Sequence, residues 1–155
     1  MVNIRTKGAD AERELATELN TLINVVRMRL GLPIMDMGKP QVQRNQNQTA
    51  VGGKDLIGTF EMAIEVKRQE QLAINTWWKQ CVKSAEALGE IPVLIFRQSR
   101  QKWRVVTWGH VKIGERNMQC RVEIPYEDFE VWFSMMAEEH LRKNAPKPQE
   151  EALFP

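Results

Sequence analysis

Apolar residues recur at helical spacing near the N-terminus. Ala11, Leu15, Leu19, Leu22 and Val26 stand three or four apart, which gathers them into one stripe and predicts a core-facing helix over Ala9–Leu30. Gly31 and Pro33 end it. Residues 31–40 (GLPIMDMGKP) hold two Gly and two Pro and read as a connection. Polar Gln41–Gln48 follows as strand or loop, up to a Gly52-Gly53 breaker. The period then changes to two. Met62, Ile64 and Val66 alternate with Ala63, Glu65 and Lys67, so the two sets face opposite sides of a strand. Lys54–Phe60 carries a Gly58-Thr59 turn signal and predicts a hairpin with that strand. A second helix spans Ile74–Leu88, with Trp78, Cys81, Val82, Ala85 and Leu88 at helical spacing and Gly89 as its stop. Ile91–Phe96 is a continuous apolar run, as in a buried strand. Trp103–Trp108 pairs with it across the basic turn 98–102. A third helix is predicted over Tyr126–Arg142. This order describes an α/β fold, a small mixed β-sheet flanked by helices, with an additional C-terminal helix.

The chain has 155 residues, enough for one domain with its own core. Residues 1–110 form that core on this reading. Residues 111–143 are a helical extension of the same domain, and 144–155 a flexible tail. No apolar run approaches the ~20 residues of a membrane-spanning helix, and Met1–Asp10 lacks a signal-peptide core. Cys81 and Cys120, even with His110 and His140, make neither a disulfide framework nor a four-ligand zinc site. These features place the chain in a reducing cytoplasm, without a membrane partner or a small-molecule cofactor. Net charge is only +2, but it is unevenly spread. Residues 1–110 hold 16 Lys/Arg against 11 Asp/Glu, and the remainder 6 against 9. A basic body with an acidic end leaves a polyanion-binding face open without establishing one.

The sharpest chemistry lies at Glu65-Val66-Lys67, with Asp55 ten residues earlier. Glu65 and Lys67 share a strand face, and Asp55 on the preceding strand can meet them. Paired carboxylates repel unless a divalent cation neutralises them, and hard oxygen ligands suit Mg2+ or Mn2+. Such a cation acidifies bound water, and a lysine beside it stabilises charge building on phosphorus. On spacing alone such a pattern is usually a solvated strand face. Arg97, Arg100, Lys102 and Arg104 concentrate charge around one turn, either as a phosphate clamp or as a solvated hairpin tip. Gln69 and Gln80 read first as polar surface, and second as phosphate or water contacts. Of Trp77 and Trp78, one must face the core, which leaves Trp77 as the candidate for base stacking. Nucleophilic-triad and Gly-rich phosphate-loop patterns are absent.

Asp55…Glu65-Val66-Lys67 resembles the signature of PD-(D/E)XK nucleases, and Lys7–Leu15 (KGADAEREL) resembles the opening of archaeal-type Holliday-junction resolvases within that superfamily. Arg44, and Gly89–Leu94 followed by Trp103-Arg104, match further family features in the same order, over residues 5–108. The resemblance implies a restriction-endonuclease-like core with Glu12, Asp55 and Glu65 as metal ligands and Lys67 as the fourth catalytic residue. Glu14 is the alternative helix acid, a half-turn off the stripe. The resemblance further implies a Mg2+-dependent endonuclease, with Mn2+ able to substitute, that leaves 5′-phosphate and 3′-hydroxyl ends. Its substrate would be branched DNA, a four-way junction cut by a homodimer through paired symmetric nicks, in a bacterial, archaeal or virus-infected host cytoplasm. Phosphate contacts are expected from Arg5, Lys7, Arg44 and the Arg97–Arg104 turn. One departure stands out: Lys54 occupies the place of the proline in the PD pair.

Overall fold

A computed structural model describes residues 4–46 and 53–144, with side chains from residue 7 onward. The elements are α1 (Ile4–Arg29), β1 (Gln43–Arg44), β2 (Leu56–Ile57), β3 (Met62–Arg68), α2 (Ile74–Leu88), β4 (Ile91–Arg97), β5 (Arg104–Ile113), β6 (Arg116–Pro125) and α3 (Tyr126–Asn144). Strands β3 to β6 form one mixed sheet in sequence order. β3 and β4 run parallel with Glu65 beside Leu94, because α2 crosses between them. β4, β5 and β6 form an antiparallel meander.

The alternation along β3 sorts the core into two layers. Met62, Ile64 and Val66 join Val93 and Ile95 against Leu15, Leu19, Ile23 and Val26 of α1 and Phe129 and Phe133 of α3. The other side of the sheet packs Leu94, Phe96 and Val106 against Trp77, Trp78 and Cys81 of α2. Glu65 lies on this second side, where Ser84 of α2 reaches it. Burial of these side chains at about 25 cal/mol per Å2 of apolar area is the main force holding both helical layers to the sheet. Among the described residues, no helix is long and apolar enough to cross a membrane.

The sequence-based outline holds for all three helices and for the strands 62–68, 91–97 and 104–108, with differences that have physical causes. α1 starts at Ile4, ahead of the Ala9 expected from the apolar stripe. β2 does not ladder with β3 in a regular hairpin. It pairs with β1, Gln43 opposite Ile57 and Arg44 opposite Leu56, and Asp55 N–H donates to Ile64 O at 3.1 Å. The cause lies on both flanks. Asn20 of α1 holds both backbone groups of Val42, each at 2.9 Å, which seats β1 where Leu56 must bury. The turn after β2 is also too tight for a regular ladder, with Gly58, Phe60 and Glu61 all at positive φ. A Cβ on Gly58 would lie 1.9 Å from Gln41 O, so only glycine fits there.

Residues 111–125 are not helical. β5 continues to Ile113, turns through Gly114 (φ 59°) and returns as β6. Val111 and Ile113 alternate toward one face and Met118, Cys120, Val122 and Ile124 answer them, a period of two visible in the sequence. Val111, Ile113 and Met118 are about half exposed, so the outer hairpin carries no core-facing stripe. The region beyond 110 is therefore a sheet edge followed by α3, in place of a helical extension. Residues 145–155 of the expected tail lie outside the described residues.

Candidate active site

β3 is one of the two edge strands of the main sheet, and the short β1–β2 ribbon sits beside it through the Asp55–Ile64 hydrogen bond. Asp55 and Glu65 meet at this junction. Val66 N–H donates to Asp55 Oδ2 at 2.7 Å, and Ser84 Oγ donates to Glu65 Oε1 at 3.4 Å. Both residues are buried, at 8% and 7% exposure, and their carboxyl groups hydrogen-bond to each other. Two buried carboxylates in contact cannot both stay ionised without a compensating positive charge, so the pair holds a proton. Burial first, then the Glu65 charge and the more distant Glu12, push Asp55 up to about 8. Burial also raises Glu65, opposed by its hydrogen bonds to Asp55 and Ser84 and by the Lys67 charge. Buried Cys81 lies under the pair, its Sγ 3.7 Å from Ala63 O. Desolvation and the Glu65 charge keep it a thiol.

Glu12 is buried on α1 at 7% exposure and close enough for its charge to raise both carboxyls. Arg44 Nε donates to Glu12 Oε2 at 2.7 Å. Glu14 instead pairs with Arg97, at the far end of β4. Of the two helix acids, Glu12 is therefore the one directed toward Asp55 and Glu65. Among the described residues, no three His, Cys, Asp or Glu side chains are gathered tightly enough to hold a metal ion. Two ligand candidates are assembled, and the third stands beside them in the grip of Arg44. The donor chemistry fits a divalent cation, since two hard carboxylates share a proton where such a cation would neutralise both.

The predicted DNA contacts divide by what already engages them. Lys7 pairs with Glu70 at 2.9 Å, and Arg104 makes a bidentate pair with Glu123 at 2.7 and 3.0 Å. Arg97 pairs with Glu14 and lies over the Trp103 ring at 4.3 Å. Arg100 and Lys102 are exposed at the β4–β5 turn, with no ion pair among the described residues. Gln69 is half-buried, its N–H donating to Arg97 O at 3.2 Å. Gln80 is exposed on α2, four residues and so one turn before Ser84. The Arg5 side chain lies outside the described residues. Trp77 is not available for stacking, since it and Trp78 are both buried, at 5% and 7%. Trp77 packs on Phe96 and Trp78 on Trp108. The two adjacent indoles thus share the buried side of α2 by packing on different strands, β4 and β5.

Sequence reasoning missed Ser84, which the fold brings to Glu65. The signal for Ser84 was a small polar residue three positions after Cys81 on the buried side of α2. Leu88, which spacing placed on that side, is 47% exposed.

The sequence matches the family described as "Phage putative PDDEXK endonuclease" over residues 3–141. The chain belongs to this family of phage PDDEXK endonucleases. The resemblance to PD-(D/E)XK nucleases is thereby borne out, and enzymes of that superfamily are generally dependent on divalent metal. No curated protein sequence matches the chain. Among solved structures, it is similar to Hjc of Archaeoglobus fulgidus, a Holliday junction resolvase from an archaeal hyperthermophile. That likeness has 18% identity and a TM-score of 0.47, over 81% of this chain and 96% of that one.

Proposed function

We propose that this endonuclease is a structure-selective, Mg2+-dependent DNase that resolves four-way junctions by paired symmetric nicks. The observation that carries the nuclease chemistry is the buried, proton-sharing Asp55–Glu65 pair with Lys67 beside it. Asp55 and Glu65 would hold the cation, with Glu12 as a third ligand once Arg44 turns to substrate. The cation, when bound, supplies Lewis-acid stabilisation of phosphate charge and acidifies water. Lys67 orients the attacking water or stabilises the negative charge that develops on the phosphoryl oxygens. Ser84 fixes the rotamer of Glu65. The products are a 5′-phosphate and a 3′-hydroxyl. Junction preference rests on the resemblance of Lys7–Leu15 to resolvases and on the exposed cations of the β4–β5 turn.

The test is cleavage of a labelled four-way junction beside its matched linear duplex, with Mg2+ and with EDTA. Symmetric nicks near the crossover, absent with EDTA, are the expected result. Equal cutting of the linear duplex would assign the protein to duplex or other branched substrates while leaving the metal site in place.

Three further outcomes are expected. Glu12→Gln loses most cleavage in a single-turnover assay while Glu14→Gln keeps it, because Glu14 is committed to Arg97. The reverse order would move the ligand role to Glu14. Arg100→Glu and Lys102→Glu each weaken junction binding and reduce the salt dependence by about one phosphate equivalent, leaving the metal requirement unchanged. Fluorescence anisotropy across a salt series measures this. Finally, a junction's two-fold cleavage sites call for a two-fold dimer. Val25 and Met28 of α1 and Val131 and Met135 of α3 are exposed apolar residues available for such an interface. A dimer mass is expected by light scattering at micromolar concentration, and a monomer that still makes paired nicks would refute it.

A further inference from the structure

Asp55 rides on a short segment tied to β3 by its own N–H to Ile64 O and by Val66 N–H to its Oδ2. β2 has two residues, and the turn that follows it has three positions at positive φ. In the motif this chain resembles, a proline precedes the aspartate and fixes one backbone dihedral. Lys54 stands there instead, with no such constraint.

We propose that Lys54, through its ion pair with Glu90, is the positioning residue that holds Asp55 in place. This inference rests on the nuclease reading above. Lys54 Nζ donates to Glu90 Oε1 at 2.7 Å and Oε2 at 2.9 Å. The two side chains are only 16% and 15% exposed. Glu90 is itself fixed. Its N–H donates to Ala85 O at 2.9 Å, in the C-terminal turn of α2 that Gly89 closes in a left-handed conformation. The next residue grips the other end of the same loop, Ile91 N–H donating to Glu61 O at 2.8 Å. The dipeptide Glu90-Ile91 at the start of β4 thus holds residues 54 and 61, and Asp55 lies between them. Asn45 completes the support, its Nδ2 donating to Lys54 O and its N–H to Asp55 O, both at 2.8 Å. A lysine neutralised by two short bonds and largely covered is poorly placed to serve as a phosphate contact, and its backbone is continuous with a proposed metal ligand. Partners that orient a ligand in this way typically change metal affinity or activity by 10–100-fold when removed.

The experiment uses the full chain and Ca2+, a hard divalent cation taken as the non-cleaving probe. Lys54→Met and Glu90→Gln should each lower Ca2+ affinity about tenfold in calorimetry. Each should lower kcat by a similar factor with KM for DNA unchanged, and speed hydrogen exchange over residues 53–61. The double variant should be no worse than either single one, because both remove the same bond. Lys54→Arg, which keeps the pair, should restore most of the loss. Unchanged Ca2+ affinity and kcat, additive losses in the double variant, or an effect of Lys54→Met confined to KM would overturn the proposal. The last of these would make Lys54 a DNA contact. A parent protein that neither binds Ca2+ nor cuts DNA would refute the nuclease reading separately. The exchange comparison then still decides the clamp: faster exchange in both variants supports it, and unchanged exchange overturns it.

Discussion

Glu65→Gln should reduce cleavage to background while the protein stays folded, and Lys67→Ala should lower kcat by about 10²–10³-fold. Glutamine fills the same volume and can still accept the Ser84 hydroxyl, so the packing between β3 and α2 is preserved. What is lost is one of two buried carboxyl groups, and with it an anionic ligand for the proposed cation. Lys67 differs because its side chain is half-buried and its charge acts on Glu65. Removing it deletes positive charge where phosphoryl charge develops, and it also raises the Glu65 carboxyl further. Lys67→Ala should therefore act mainly by slowing the reaction. When cleavage is prevented by EDTA, Glu65→Gln should bind junction DNA at least as well as the parent, and Lys67→Ala should still bind it. Circular dichroism establishes folding, and single-turnover cleavage with Mg2+ gives the rate. Near-parental nicking by folded Glu65→Gln would refute the site.

The period of two at Met62–Lys67 and the apolar run at Ile91–Phe96 made β3 and β4 legible, because burial acts on them directly. Glu65 and Lys67 were legible for the same reason, since alternation puts them opposite a buried face. The β1–β2 pairing was not, because it is decided by Asn20, more than twenty residues away from Val42, and by backbone strain in the turn after β2. Both are tertiary facts with no local pattern. The outer β5–β6 hairpin carried a local signal that lacked a core to make it convincing. Trp77 shows the limit of one-face reasoning, since α2 buries two adjacent indoles against different strands. Charge was the least legible property. Arg44, Arg97 and Arg104 looked like free cations in sequence, yet each meets a carboxylate brought to it by the fold.

Asp55→Asn should abolish cleavage and at the same time stabilise the metal-free protein above neutral pH. Asp55 titrates near 8 in the folded chain against an ordinary value of 3.8, so between about pH 4 and pH 8 the folded state binds a proton that the unfolded state has released. Stability therefore falls as pH rises through this window, its favourable contribution being complete below pH 4 and lost above pH 8. Asparagine has no proton to lose and keeps a carbonyl to accept the Val66 N–H, so its stability should be flatter across the same range. Because the shifted group is buried and shares its proton with Glu65, a gain on the order of 2 kcal/mol at pH 8 is a reasonable scale. For a chain of this size that is about 4–8 °C in Tm. Mg2+ should act in the opposite sense on the parent. A cation replaces the shared proton, so its stabilising shift should grow from pH 5 to pH 8 and shrink sharply in Asp55→Asn. Thermal melts at three pH values, with and without Mg2+, separate these terms. A variant that melts below the parent at pH 8 without metal would mean that the Asp55 carboxylate is stabilised by charge the fold already supplies. The case for a cation at this site would then lose its electrostatic basis, because the pair would have no deficit of positive charge for a metal to fill.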